Sequence, residues 1–139
     1  MILLLDCDGV LTDGYLTIDR YGEKMFKRFH TRDVRAIREL VVHGYEVIIV
    51  TADDWSGVVH FADKVGAEMF ITNDKGKLPF QEYIAVGDDA WDVPMLKGAI
   101  RSFCPSDADH SVLVLDGIEV LDAMGGKGVV AELVRRLLR

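Results

Sequence analysis

The sequence predicts an α/β protein with a doubly wound parallel sheet. Apolar runs of strand length, such as Ile2–Leu5 and Val47–Val50, do not alternate with polar residues, which is typical of parallel strands buried on both faces. Segments with apolar residues at helical spacing lie between the predicted strands, and this alternation favours helices on both faces of the sheet. With 139 residues the chain has the length of one domain, which we expect to span residues 1–139.

The remaining elements are predicted from local patterns in chain order. A short hairpin is expected where Tyr15–Ile18 and Met25–Phe29 flank a turn that contains Gly22. Further extended segments are predicted at Tyr45–Val50, Glu68–Thr72, Tyr83–Val86, Ile100–Cys104 and Ile118–Leu121. Helices are predicted at Asp33–His43, Ser56–Val65, Asp92–Lys97, Ala108–Leu115 and Val129–Leu138.

Composition excludes several classes of protein. The hydrophobic fraction of 50% and the charged fraction of 28% are those of an ordinary globular protein. The net charge of −7 disfavours nucleic acid and anionic membranes as partners, and no apolar stretch approaches the ~20 residues of a membrane span. Cys7 and Cys104 form neither a disulfide framework nor a metal-ligand spacing, so we expect reduced thiols in a cytoplasmic protein.

Polar side chains follow the predicted strands at their carboxyl ends, where ligands bind in sheets of this kind. The residues at these positions are Asp6, Asp8, Thr51, Lys75, Lys77 and Asp88. Because close carboxylates repel one another, Asp6, Asp8 and Asp88 predict a bound cation, and oxygen ligands favour Mg²⁺. An Asp can attack phosphorus, and an Asp two residues later lies on the same side to act as acid and base. A Lys and a Thr hydroxyl suit the oxygens of a transferring phosphoryl group.

The segment Asp6-Cys7-Asp8-Gly9-Val10-Leu11-Thr12-Asp13-Gly14 resembles the first motif of the haloacid dehalogenase superfamily. More narrowly, it resembles the 3-deoxy-D-manno-octulosonate 8-phosphate phosphatase family, which has a hairpin and a Phe-x-x-x-Asp segment next, matched here by Phe29 to Asp33. Later segments of that family are matched by residues 107–110 and 125–128, so the resemblance runs nearly end to end. It implies a Rossmann-like haloacid dehalogenase fold with a short hairpin flap and no cap domain.

The resemblance implies a role for each matching residue. Asp6 is expected to be the nucleophile, and Asp8 the acid and base whose backbone carbonyl also binds the metal. Asp88 is expected to be a metal ligand and Thr51 to bind the phosphate. The expected supporting and substrate-binding residues are Asp89, Asp92, Thr12, Gly14, Asp53 and Lys75. The motif lysine stays open between Lys77, which a reading without gaps favours, and Lys75.

Two features depart from the family pattern. The family commonly has Thr-Gly-Arg after the second strand, whereas this chain has Thr51-Ala52-Asp53. A carboxylate at this position is expected to disfavour an anionic substrate group, and an acidic residue near it is typical of related phosphatases for nine-carbon sugar acids. The stretch from Lys77 to Gly87 is shorter than in the family and close to the lower limit of about a dozen residues for a parallel crossover, which leaves an altered local topology open.

We therefore predict a Mg²⁺-dependent phosphatase that hydrolyses the phosphate of an eight- or nine-carbon 2-keto-3-deoxy sugar acid through an aspartyl-phosphate. The resemblance also implies a homotetramer with sites at subunit interfaces. The alternatives are a phosphatase or phosphotransferase for another small phosphate ester, a phosphoacceptor signalling module, and a catalytically weak oligomerisation module. The basic residues Lys24, Lys27, Arg28 and Arg32 are interpreted as a solvated face, or alternatively as a basic rim that attracts an anionic substrate.

Overall fold

The computed structural model describes the whole chain, residues 1–139, as a six-stranded parallel sheet with a separate two-stranded hairpin. The strands are β1 (Ile2–Asp6), β2 (Thr17–Ile18), β3 (Lys24–Phe26), β4 (Glu46–Thr51), β5 (Glu68–Ile71), β6 (Tyr83–Val86), β7 (Arg101–Cys104) and β8 (Glu119–Val120). The helices are α1 (Thr31–Val42), α2 (Ser56–Val65), α3 (Val93–Gly98), α4 (His110–Leu113) and α5 (Val129–Leu138). The predicted doubly wound α/β fold is confirmed.

Strand β1 lies in the middle of the sheet, between β4 and β6. The order is β5-β4-β1-β6-β7-β8, and every neighbouring pair is parallel. Asp6 pairs with Val50 of β4, and Leu5 pairs with Val86 of β6. The segments that follow β4 and β6 therefore emerge on either side of Asp6, at the edge where open α/β sheets bind ligands.

Strand β1 is buried on both faces of the sheet. Leu3 and Leu5 belong to the core cluster that includes residues of α1, α2 and α5, whereas Leu4 belongs to the cluster that includes residues of α3 and α4. Successive side chains of a strand point to opposite faces, so a strand covered on both sides needs an unbroken apolar run. This explains why the sequence shows no alternation at residues 2–5.

The short crossover between β5 and β6 leaves the sheet topology intact. Residues 72–82 contain no helix, yet β6 still pairs with β1 in parallel, with Tyr83 opposite Ile2. The altered topology that the sequence left open is therefore absent.

The helix predicted at Ala108–Leu115 is shorter than expected, because Asp109 caps α4 by accepting a hydrogen bond from the backbone N–H of Ser111 at 3.0 Å.

The loop after β1 packs against the segment that precedes α5 and is hydrogen-bonded to it. The backbone N–H of Gly126 donates to the carbonyl of Val10 at 3.0 Å. A Cβ atom at Gly125 would lie 2.0 Å from the carbonyl oxygen of Gly9, so only glycine permits this approach. Asp33 of α1 accepts a hydrogen bond from the N–H of Ala131 at 2.9 Å and so caps α5 from another helix.

No helix of the chain has both the length and the apolar character that a membrane span requires.

Candidate active site

Three carboxylates meet beyond the carboxyl ends of β1 and β6. Asp6 is the last residue of β1, Asp88 lies two residues after β6, and Asp92 closes a single turn of 3-10 helix at Ala90–Asp92. One carboxylate oxygen of each residue lies within 4.8 Å of those of the other two. The sequence predicted the convergence of Asp6 and Asp88, and the third carboxylate of this acidic cluster is Asp92 rather than the side chain of Asp8.

The loop after β6 is organised around Asp92. Its Oδ2 accepts hydrogen bonds from the backbone N–H groups of Asp88 at 2.8 Å and of Asp89 at 3.1 Å. The side chain of Asp89 in turn accepts a hydrogen bond from the N–H of Ala90 at 2.6 Å and so caps the same turn. Asp89 and Asp92 therefore fix the backbone that carries Asp88, and their predicted support of a metal stays a prediction.

Lys75, and not Lys77, reaches the acidic cluster. Its Nζ atom lies 2.8 Å from Oδ1 of Asp6 and 2.5 Å from Oδ1 of Asp92, and its side chain is only 9% exposed. The side chain of Lys77 is 86% exposed and approaches only Asp74, at 3.9 Å. Of the two lysines that the sequence left open, Lys75 is therefore the one that lies at the acidic cluster. A turn in which the N–H of Lys77 donates to the carbonyl of Asp74 at 3.3 Å directs Lys77 into solvent.

Burial changes the protonation of the acidic cluster. It raises the pKa of Asp6 to about 7, and the charge of Asp92 acts in the same direction while Lys75 opposes it. Burial and the adjacent Asp6 raise the pKa of Asp88 to about 9. Burial alone would lower the pKa of Lys75, but the charges of Asp6 and Asp92 outweigh it and raise that pKa. Without a cation, Asp88 therefore retains its proton at neutral pH and Asp6 is about half protonated, while Lys75 is charged.

The donor set of the acidic cluster fits a hard divalent cation. Its ligands are carboxylate oxygens, and Oδ1 of Asp88 is buried without any hydrogen-bond partner. Both oxygens of Asp92 already accept hydrogen bonds, from Lys75 and from the backbone. Asp6 and Asp88 are therefore the side chains with oxygens left for a metal, and Asp92 is better suited to hold them in place.

The Asp8 carboxylate is held outside the acidic cluster by two donors. Oγ1 of Thr12 donates to its Oδ1 at 3.0 Å, and Nζ of Lys27 donates to its Oδ2 at 2.8 Å. Thr12 is completely buried, and its Oγ1 also accepts a hydrogen bond from the N–H of Gly14 at 3.1 Å. The hydroxyl of Thr12 therefore serves Asp8 and the loop, and its predicted contact with substrate stays a prediction.

Thr51 and Asp53 form the second wall of the site. Oγ1 of Thr51, at the end of β4, accepts a hydrogen bond from the N–H of Asp53 at 3.1 Å. Oδ2 of Asp53 lies 2.8 Å from Nζ of Lys24 and 2.9 Å from Nζ of Lys27. Burial raises the pKa of Asp53, but hydrogen bonds from the two lysines outweigh it and lower the pKa to about 2. Asp53 is therefore ionised but compensated by two cations, which weakens the expected repulsion of an anionic substrate group.

Two adjoining cavities open at this edge of the sheet. One, of about 230 Å³, is lined among others by Asp6, Asp8, Thr51, Lys75, Asp88 and Asp92. The other, of about 560 Å³, is lined among others by Gly14, Leu16, Lys24, Lys27 and Asp54. Asp8, Ala52 and Asp53 line both. A group bound at Asp6 can therefore extend past Asp8 into the larger cavity.

Lys27 takes a position in this site that the sequence does not specify. The sequence leaves it, with its basic neighbours, as part of a solvated face or of a basic rim, whereas its side chain is only 3% exposed. It follows β3 directly and lies 19 residues from Asp8 in the chain. The fold of the hairpin determines where Lys27 lies, and its distance in the sequence from the first motif does not predict the contact with Asp8.

Comparison with known proteins identifies the family of the chain. No protein-family model matches. The chain is 30% identical, over 149 aligned residues, to the 3-deoxy-D-manno-octulosonate 8-phosphate phosphatase KdsC of Salmonella typhi, with 99% of this chain and 78% of that protein covered. The cobalt-bound form of the corresponding phosphatase from Haemophilus influenzae is 28% identical, with a TM-score of 0.87 and coverage of 99% and 86%.

A third comparison concerns the fold. The phosphatase from Moraxella catarrhalis in complex with magnesium, phosphate and a KDO molecule has a TM-score of 0.87 at 23% identity, with 99% of this chain and 84% of that chain covered. The order of strands, the acidic cluster and these matches agree with the resemblance that the first motif carries. The chain belongs to the 3-deoxy-D-manno-octulosonate 8-phosphate phosphatase family of the haloacid dehalogenase superfamily.

Proposed function

We propose that residues 1–139 form one phosphatase domain that hydrolyses the phosphate ester of an eight- or nine-carbon 2-keto-3-deoxy sugar acid, with Mg²⁺ as cofactor and Asp6 as nucleophile. The observation that supports this most directly is the contact of Lys75 with Asp6 inside the acidic cluster, with Asp8 two residues away on the same wall. Membership of the family makes the enzyme class a phosphoric monoester hydrolase of the haloacid dehalogenase type.

The proposed reaction has two steps, in which Asp6 is the nucleophile and Asp8 transfers the protons. In the first, a carboxylate oxygen of Asp6 attacks phosphorus while the ester P–O bond breaks, and Asp8 gives its proton to the departing alcohol oxygen. In the second, Asp8 takes a proton from water as the water oxygen attacks phosphorus. The bond between phosphorus and Asp6 then breaks, and inorganic phosphate leaves with both carboxyl groups restored.

The surrounding residues orient these two carboxylates. Lys75 holds Oδ1 of Asp6 by a charged hydrogen bond and so fixes the orientation of the carboxylate that attacks phosphorus. Thr51, which lines the same cavity, is suited to bind the phosphate. The side chains of Asp6 and Asp88 and the backbone carbonyl of Asp8 would hold Mg²⁺. When bound, the ion neutralises the charge of these carboxylates and of the phosphate oxygens.

The substrate class rests on the relatives and on the larger cavity. The relatives of Salmonella and Haemophilus are named for an eight-carbon sugar-acid phosphate. The cavity beside Asp8 has about 560 Å³ and presents both cations and carboxylates, which suits a polyhydroxylated acid. Since Lys24 and Lys27 compensate Asp53, both the eight-carbon and the nine-carbon acid remain in the proposal.

We also propose a cytoplasmic homotetramer whose sites lie at subunit interfaces. The hairpin that borders the larger cavity exposes Tyr15, Ile18, Tyr21 and Phe26, which suits contact with another subunit. Both cysteines are unpaired and buried, which suits a reducing compartment. Sedimentation at micromolar concentration tests the assembly, and a monomer there would contradict it.

The contact of Lys75 with Asp6 and Asp92 argues against the alternative of a catalytically weak oligomerisation module, because the short crossover before β6 leaves this contact in place. The signalling alternative places its phosphoacceptor after the third strand of the sheet, whereas the acidic motif here follows β1.

Phosphate release from a panel of substrates tests the proposed function. The panel contains eight- and nine-carbon sugar-acid phosphates, simple sugar phosphates and nucleotides, each with Mg²⁺. We expect preference for a sugar acid, and no release by Asp6→Asn, which keeps the size and polarity of the side chain. Folding of the variant is checked by circular dichroism. Preference for another ester would refute the substrate class, and release by a folded Asp6→Asn would refute the mechanism.

A further inference from the structure

Lys27 joins the hairpin to two carboxylates of the site. Its Nζ atom lies 2.8 Å from Oδ2 of Asp8 and 2.9 Å from Oδ2 of Asp53. The side chain is 3% exposed, and Nζ lies 6.0 Å from the centre of the Trp55 ring. A lysine so deeply buried needs anionic partners, and burial alone would lower its pKa. The hydrogen bonds from Lys27 to Asp8 and Asp53 outweigh burial and raise that pKa, so the ammonium group stays charged.

Together with Thr12, Lys27 determines the orientation of the Asp8 carboxylate. Each oxygen of Asp8 has its own donor, Oγ1 of Thr12 for Oδ1 and Nζ of Lys27 for Oδ2. A carboxylate held at both oxygens has little freedom to rotate about its terminal bond. Thr12 comes from the loop that carries Asp8 itself, whereas Lys27 comes from the end of β3 and is in turn anchored by Asp53 after β4.

We propose that Lys27 is a positioning residue that holds the Asp8 carboxyl group for proton transfer to the leaving alcohol. The inference rests on the proposed function, because it assigns proton transfer to Asp8. Lys27 acts through Asp8 and not on the phosphate: Lys75 is the lysine on Asp6, and Lys27 makes no contact with the acidic cluster. The hairpin thereby contributes to the chemistry by orienting the proton donor as well as by bordering the cavity.

Lys24 provides the matched control. It is also a lysine of the hairpin and binds the same Oδ2 atom of Asp53, at 2.8 Å. It makes no contact with Asp8, and its side chain is 37% exposed. Loss of Lys24 therefore removes one positive charge from the same cavity but leaves both donors to Asp8 in place. An effect that follows charge alone appears in both variants, whereas an effect on Asp8 appears only when Lys27 is changed.

The nature of the leaving group separates a positioning role from a merely structural one. An alkyl alcohol must receive a proton as it leaves, whereas p-nitrophenolate leaves without one, so proton donation matters for the first and little for the second. The value of kcat/KM covers only the steps up to departure of the leaving group, and the later attack of water does not enter it. A misplaced Asp8 therefore lowers kcat/KM for an alkyl phosphate more than for an aryl phosphate.

The experiment measures kcat/KM for ethyl phosphate and for p-nitrophenyl phosphate with Mg²⁺, because neither ester carries an acid group that would bind the lysines of the larger cavity. For Lys27→Met we expect a loss of about 30-fold on the ethyl phosphate and of less than about threefold on the aryl phosphate, within the range of proton-transfer catalysis. Lys24→Met is expected to keep the ratio of the two values within about twofold of wild type. Asp8→Asn removes the proton donor altogether, so its ratio of the two kcat/KM values sets the largest change that a misplaced Asp8 can produce.

A second substitution keeps the test open if Lys27→Met folds poorly. Lys27→Arg retains the charge with a different reach, and we expect its ratio to lie between those of wild type and Lys27→Met. Equal losses on both substrates, or a changed ratio in Lys24→Met as well, would overturn the role of Lys27. Turnover that survives Asp6→Asn would instead contradict the proposed function, so the two failures are distinguishable.

Discussion

The Nζ atom of Lys75 lies 2.8 Å from Oδ1 of Asp6, although 69 residues separate them in the chain. The same Nζ atom binds Oδ1 of Asp92, whose other oxygen holds the backbone after β6. One lysine thus connects the end of β1 with the turn that carries Asp88. This connection orients Asp6 and balances part of the negative charge of the acidic cluster.

Loss of Lys75 is expected to abolish most of the activity. Lys75→Met removes the charged donor to Asp6 while keeping a side chain of similar length, and we expect kcat to fall about 100-fold or more. Lys77→Met is the matched control, because Lys77 is exposed and lies outside the site, and it should stay within about twofold of wild type. Phosphate release measures both. A large loss in Lys77→Met with an active Lys75→Met would reverse the assignment of the motif lysine.

Glycine at position 9 is expected to be necessary for the approach of Asp88. A Cβ atom there would lie 1.8 Å from Oδ2 of Asp88, and the φ angle of +84° is itself unfavourable for other residues. We expect Gly9→Ala to lower the free energy of unfolding by about 3 kcal/mol or more, since backbone strain and the clash add. It should also abolish stabilisation by Mg²⁺, because Asp88 must move.

Gly22 separates the two contributions to that loss. Its φ angle of +82° is almost the same, but no atom lies within 4 Å of a Cβ added there. Gly22→Ala is therefore expected to cost only about 1–2 kcal/mol of backbone strain and to leave the response to Mg²⁺ unchanged. Urea unfolding with and without Mg²⁺ measures both effects. Equal losses in the two variants would show that the contact with Asp88 contributes nothing.

The metal-free protein is expected to lose stability as pH rises. Burial raises the pKa of Asp6 to about 7 and of Asp88 to about 9, from the usual 3.8, so the folded state binds more protons than the unfolded state. The stability that these groups contribute is fully present below about pH 4 and is lost as pH rises through their folded pKa values. Mg²⁺ binds the ionised carboxylates, so the stabilisation it provides should grow with pH.

Thermal unfolding in EDTA and in Mg²⁺ tests this linkage. We expect the difference in Tm between the two conditions to widen from about pH 5 to about pH 9. In Asp88→Asn the group with the higher pKa no longer titrates, and the widening should be much smaller. A difference that narrows with rising pH in the unchanged protein would contradict the linkage.

The position of Asp6, Thr51 and Asp88 could be predicted because it follows from the order of the elements. Each lies at or just after the carboxyl end of a parallel strand, and these ends meet at one edge whatever the details of packing. The same rule places Lys75 and Lys77 after the carboxyl end of β5 but does not show which of the two lysines enters the site. That choice depends on a tight turn at Asp74, whose geometry is set by local hydrogen bonds.

The positions of Lys27 and Thr12 could not be predicted, because they depend on tertiary packing. Lys27 has the sequence environment of an exposed hairpin, and only the fold of β2 and β3 against the site buries it. Thr12 belongs to the first motif, yet its hydroxyl turns inward to Asp8. Sequence alone likewise could not foresee that Lys24 and Lys27 compensate Asp53, since the residues that pair lie on different elements.

Trapping of the phosphoenzyme tests the central role of Asp6 most directly. The protein is mixed with a sugar-acid phosphate and Mg²⁺, quenched in acid within the first turnover, and digested for mass spectrometry. We predict one phosphoryl group on the peptide that contains Asp6, decaying as inorganic phosphate appears, and none in Asp6→Asn. A phosphoryl group on another residue, or continued turnover by a folded Asp6→Asn, would contradict the assignment of Asp6 as the nucleophile.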